Sequence, residues 1–94
     1  MQFAIVCLDK PDHLSVRMEN RPAHLEHLKA HEAQILIAGP LLSDDGQTPV
    51  GSLLVMDFAD AAAASKFAET DPYAIAGLFK TVNICPYRKV LPAD

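Results

Sequence analysis

Gln34-Ile-Leu-Ile-Ala-Gly-Pro-Leu-Leu42, Ser43-Asp44-Asp45-Gly46-Gln47 and Val50-Gly-Ser-Leu-Leu-Val-Met-Asp-Phe58 follow one another along the chain, and their reading decides the fold. Two apolar runs separated by turn-forming residues read as a β-hairpin. Pro40 cannot donate to a strand ladder and Gly39 tolerates a bulge, so the first of these strands lies at an edge or bends. Upstream, residues 2 to 8 are almost continuously apolar, with β-branched Ile5 and Val6, and read as a strand covered on both faces. Residues 14 to 33 have helical composition interrupted by Pro22, which predicts a short helix to about Glu19 and a main helix starting at Pro22. Downstream, Asp60 caps a helix over Ala61-Ala-Ala-Ala-Ser-Lys-Phe-Ala68, anchored by Phe67. Asp71-Pro72 opens a further helical turn that Gly77 closes, and Phe79 to Val90 forms the last strand.

The resulting order, β-α-β-β-α-β, predicts an α+β protein of the ferredoxin-like class, a single domain over 1–94 with a four-stranded antiparallel sheet and its helices on one face. The other face is not polar. Ala4, Val6 and Leu8 alternate with Phe3, Ile5 and Cys7, and Leu53 and Val55 alternate with Leu54 and Met56. An apolar face of that extent marks an association surface, so a homodimer joined sheet to sheet is expected. The alternative is a C-terminal segment folded back over the face.

Half of the 94 residues are apolar and 21% are charged, which is globular composition. Twelve acids against eight bases give a net charge of −4, and the bases are scattered. Nucleic-acid affinity rests largely on neutralising phosphates, so no nucleic-acid partner is expected. The apolar start of the chain ends at Asp9, Lys10 and Pro11, too early for a signal peptide, and no run is long enough to span a bilayer. Cys7 and Cys85 lack the close spacing of a zinc or redox motif and read as reduced thiols in apolar strands. Cytoplasm is the expected compartment.

His24, His27 and His31 stand three and four residues apart, within about 60° of arc on one helix. The spacing permits metal ligation but lacks the His-Glu-x-x-His arrangement and an accompanying acid ligand, so no metal is expected. His31, near the helix end, reads as a cap or surface group. His27 turns furthest from the stripe of Leu25 and Leu28 and reads as solvated. His24 borders that stripe and can project into a half-buried pocket, where its near-neutral titration suits proton transfer. Spacing alone leaves a structural and a catalytic His24 both open. Asp71 is explained by capping, yet a rigidly held capping carboxylate can also orient an imidazole. Arg17 and Arg21 could each grip a carboxylate in bidentate fashion, although surface ion pairs are the default; Arg21, one turn before His24, is the better placed. Gly39 and Ser52 sit at strand irregularities, and Ser52 lacks the Gly-x-Ser-x-Gly nucleophile context. No phosphate loop or dinucleotide fingerprint appears, so no cofactor is expected.

Arg21-Pro-Ala-His-Leu25, Ala38-Gly-Pro-Leu41, Gly51-Ser52 and Asp71-Pro-Tyr-Ala74 with Ala76-Gly77, in this order, resemble the YciI-like (YCII-related) family over nearly the whole chain. The resemblance implies a dimeric α+β barrel fold and an active site around the motif histidine and aspartate, here His24 and Asp71. Arg21, Gly39 and Ser52 would be pocket neighbours. One degradative branch of the family eliminates chloride from a chlorinated hydroxyquinone. The implied activity is a cofactor-independent lyase, isomerase or hydrolase on a small aromatic or lactone-like acid. His24 would transfer the proton, Asp71 would fix its tautomer, and Arg21 would hold the anionic group. The alternative is a non-catalytic metabolite-binding or accessory dimer.

Overall fold

The computed structural model describes residues 1–93. Strand β1 (Gln2–Asp9) leads to helix α1 (Leu14–Ala30) and, through a short 3-10 turn at Glu32–Gln34, to β2 (Ile35–Leu42). Then come β3 (Pro49–Asp57), α2 (Ala61–Glu69), α3 (Pro72–Ile75) and β4 (Phe79–Tyr87). The sheet order is β2-β3-β1-β4 with every neighbouring pair antiparallel, which is the split βαβ arrangement expected of a ferredoxin-like α+β protein.

The β2–β3 hairpin closes as its residues dictate. Asp45 Oδ1 accepts hydrogen bonds from the Ser43 hydroxyl (2.6 Å) and the Gln47 amide (3.0 Å), and Gly46 takes the positive φ of 74° that the turn requires. Asp60 caps α2 by accepting from the Ala63 amide at 2.9 Å. Gly77 ends α3 at φ 76°, and its amide donates back to the Ala74 carbonyl.

One expectation fails at Pro22. The chain does not break there, and α1 runs as a single helix with Pro22 inside it. Proline frees the carbonyl four residues earlier, which belongs to Met18. Met18 is 53% exposed and Pro22 is exposed as well, so the freed carbonyl lies on the wet side of the helix, where water can serve it.

Register sorts the strands into two faces. Phe3, Ile5 and Cys7 lie opposite Met56, Leu54 and Ser52 and face the helices. There Phe3, Ile5, Leu54, Met56, Phe58, Ala64 and Phe67 form the core. The other parity, Ala4, Val6, Leu8, Leu53 and Val55, faces away. That side is only partly covered: the chain after β4 brings Leu91 and Pro92 into one groove with Ile37, Val55 and Tyr87, yet Ile37 stays 57% exposed. Gly51 is required where β3 pairs with β1, because a Cβ there would run into the Cys7 carbonyl oxygen. At Gly39 a Cβ would meet open space. No helix among the described residues is long and apolar enough to cross a membrane.

Candidate active site

Two buried side chains of α1 set the site, and neither is apolar: they are Arg17 and His24. Seven residues apart, they fall on nearly the same helical face, the one turned to the sheet. This corrects the reading of Arg17 as a surface ion pair. It is 3% exposed, and its Nε and Nη2 donate to the two carboxylate oxygens of Asp9 at 2.7 and 2.8 Å. Asp9 ends β1 at a shift in the β1–β4 register, and its side chain is only 7% exposed. Nη2 also donates to Ser52 Oγ, 3.1 Å away on β3, and the guanidinium carbon lies 4.6 Å from the centre of the Tyr73 ring. Burial works against the Arg17 charge, but hydrogen bonding and attraction to Asp9 more than offset it and raise the guanidinium pKa.

His24 meets Asp71 across the helix layer. Its Nδ1 lies 2.9 Å from Asp71 Oδ1 and 3.0 Å from Oδ2, with both residues buried. A carboxylate can only accept, so Nδ1 carries a proton, and in the neutral imidazole Nε2 keeps the lone pair. Asp71 is also the N-cap of α3, its Oδ1 accepting from the Tyr73 amide at 2.9 Å. Pro72 in the first turn presets the helical backbone beside it. The Tyr73 ring stacks on the imidazole with centroids 4.0 Å apart and planes 15° from parallel. Tyr73 therefore braces both halves of the pair, its amide on the carboxylate and its ring on the histidine. Burial raises the Tyr73 pKa against the opposing pull of Arg17, so the phenol stays protonated at neutral pH.

Arg17, His24, Ser52 and Tyr73 line a cavity of about 480 Å³ between α1 and the β2–β3 hairpin. Leu25, Leu28, Ala38, Pro40, Leu42 and Leu54 supply apolar wall; Arg17, Arg21, His24, Ser52 and Tyr73 supply polar atoms. Arg21 is exposed at the rim, and Gly39 contributes backbone. Beneath the site, Cys7 is buried; desolvation first, and then the negative charge of Asp71, push its thiol up to about 12, which keeps it protonated and unreactive.

The other histidines serve structure. His27 is not solvated as expected: its Nε2 donates to the Phe67 carbonyl at 3.1 Å and its ring stacks on Phe67 at 4.4 Å. His31 caps the C-terminus of α1, with Nδ1 on the His27 carbonyl at 3.0 Å. Each of the three imidazoles thus has a nitrogen committed to a different acceptor. Sequence reasoning missed Asp9 and Tyr73 and misplaced Arg17; the signal available was the seven-residue spacing of Arg17 and His24.

The YCII-related domain matches residues 1–88. Protein YciI of Escherichia coli O6:H1 is 36% identical, covering 96% of this chain and 99% of that protein. An uncharacterized protein of Haemophilus influenzae is 34% identical with the same coverage. Among solved structures, 5-chloro-2-hydroxyhydroquinone dehydrochlorinase from Burkholderia phenoliruptrix AC1100, in complex with 2,5-dihydroxybenzoquinone, superposes with TM-score 0.90 at 33% identity, covering 100% of both chains. An antibiotic biosynthesis monooxygenase shares the fold at TM-score 0.55 and 13% identity, covering 96% of this chain and 99% of that one.

Proposed function

The chain belongs to the YCII-related domain family, and from that premise we propose that its cavity carries out cofactor-independent proton transfer on a small quinol-like acid. The observation that carries the reading is the His24–Asp71 contact at 2.9 and 3.0 Å, which leaves the Nε2 lone pair as the basic atom of a side chain that lines the cavity. A histidine held in one tautomer by a buried carboxylate is a competent general base. A dehydrochlorinase of similar structure makes elimination of hydrogen chloride the reaction of choice. On the keto tautomer of such a substrate, one hydroxyl proton has moved to the chlorine-bearing carbon and made it tetrahedral. His24 takes a second hydroxyl proton, the O–H electron pair forms the new carbonyl, the adjacent double bond shifts toward the tetrahedral carbon, and chloride departs with the electrons of the carbon–chlorine bond. Arg21, the cation at the rim, draws the anionic substrate in. A non-catalytic binding module would need the cavity but not a tautomer-fixing carboxylate behind the histidine.

Chloride release from 5-chloro-2-hydroxyhydroquinone by chelator-treated protein tests this. The wild-type protein is expected to turn it over, and His24→Gln to slow it by about a hundredfold or more. A folded His24→Gln protein with the full rate, or an inert wild type, would overturn the elimination.

We also propose that a second copy of the chain covers the open sheet face, where Ile37 and Leu8 are exposed beside half-buried Val6 and Leu53. The fold is that of the dimeric α+β barrel group, which supports this reading. Sedimentation at micromolar concentration is expected to give a dimer, and a monomer there counts against it.

A further inference from the structure

Building on the proton-transfer reading, we propose that Ser52 is the oxyanion donor of the cavity, polarised from behind by Arg17. A guanidinium nitrogen can only donate, so in the 3.1 Å contact with Arg17 Nη2 the Ser52 oxygen must accept. The serine hydroxyl hydrogen is then left over, and no acceptor for it stands among the described residues. Ser52 is 2% exposed and lines the cavity, so that hydrogen has the cavity in which to find its acceptor. A buried donor without an acceptor is costly, and a bound oxygen removes the cost.

Arg17 makes this donor strong and fixed. Accepting from a cation draws electron density from the hydroxyl and strengthens its donation. The guanidinium cannot swing away, because Asp9 holds its Nε and Nη2 at 2.7 and 2.8 Å and the Tyr73 ring packs against it. Asp9 also neutralises the Arg17 charge, so the cavity selects at this point for hydrogen bonding to oxygen more than for charge as such. Arg17 is accordingly a positioning residue, and Ser52 the group that touches the ligand.

This defines the substrate class. His24 on α1 and Ser52 on β3 line the same cavity from facing elements. The substrate must present an acidic proton to the first and a conjugated oxygen to the second. When His24 removes the proton, the freed electron pair delocalises onto the oxygen held by Ser52, and its return expels the leaving group. Phenols, enols and hydroxyquinones meet that requirement; simple alkyl halides, which have no such oxygen, do not.

Binding of 4-nitrophenolate and of nitrobenzene, which lacks the phenolate oxygen, to the protein tests the assignment apart from turnover. The wild type is expected to prefer the phenolate by about tenfold, the worth of a hydrogen bond to a charged group. Ser52→Ala should lose most of that preference, Ser52→Thr should keep it, and His24→Gln should keep it too. If Ser52→Ala melts, Ser52→Cys, of similar shape but a weak donor, should show the same loss. Retention of the preference in both Ser52→Ala and Ser52→Cys overturns the assignment while leaving His24 as base untouched. Loss of the preference in His24→Gln overturns it in favour of a charged imidazole as the anion site. Failure of the wild type to bind either compound also overturns it, and chloride release then judges the proton-transfer reading separately.

Discussion

Arg17→Met is expected to lower the unfolding free energy by about 3–5 kcal/mol, among the largest losses any single substitution in this chain should produce. The cause is what is left behind more than what is removed. Asp9 has both carboxylate oxygens on the Arg17 guanidinium and a side chain only 7% exposed, so without Arg17 its charge stays in a dry site with no partner. Ser52 loses its donor at the same time. The pair itself is worth much less than its breakage, since desolvating two ions offsets most of their attraction. Arg17→Met combined with Asp9→Leu should therefore recover most of the lost stability. Urea unfolding at one fixed protomer concentration measures both, the fixed concentration being needed because association adds to apparent stability. A single variant within about 1 kcal/mol of wild type would show that water reaches Asp9 and that the network is not closed.

Why this network escaped the sequence is instructive. Helical periodicity finds a buried face by looking for apolar residues at the proper spacing. On α1 that rule points at Leu25 and Leu28, whereas the buried residues are Arg17 and His24. Two charged or polar groups can occupy a buried face only when counter-groups arrive from elsewhere, and here these are Asp9 at the end of β1 and Asp71 ahead of α3. Both acids also have ordinary local explanations, one as the end of an apolar strand and the other as a helix cap, so nothing local marks them as partners. The hairpin, the α2 cap and the order of elements along the chain were legible because each rests on neighbouring residues: Asp45 and Gly46 in the turn, Asp60 at the cap. Pro22 misled for the complementary reason. Its cost depends on whether the freed carbonyl is wet, and that is a property of the packed helix. The nearness of His24 and Asp71 followed from the family motif alone, since 47 residues separate them and periodicity does not reach that far.

Asp71→Asn is the substitution that separates the two duties of Asp71, and its expected result is a loss of turnover of about ten thousandfold with little loss of stability. Asparagine is as good an N-cap as aspartate, and its side-chain oxygen can still accept from the Tyr73 amide, so α3 keeps its start. The consequence for His24 is different. With the oxygen held by the Tyr73 amide, the amide nitrogen faces Nδ1 and donates to it. Nδ1 must then accept, the proton moves to Nε2, and the atom that served as base no longer has a lone pair. Asp71→Ala removes cap and partner together and should cost about 1 kcal/mol or more of stability in addition to activity. The comparison is made by thermal melts alongside chloride release for both variants. Nitrogen-resolved NMR of the His24 ring reports the tautomer directly, with the proton on Nδ1 in wild type and on Nε2 in Asp71→Asn. A folded Asp71→Asn protein that carries the Nε2 proton yet turns substrate over at the wild-type rate would remove His24 from the proton transfer and leave the contact as a purely structural one.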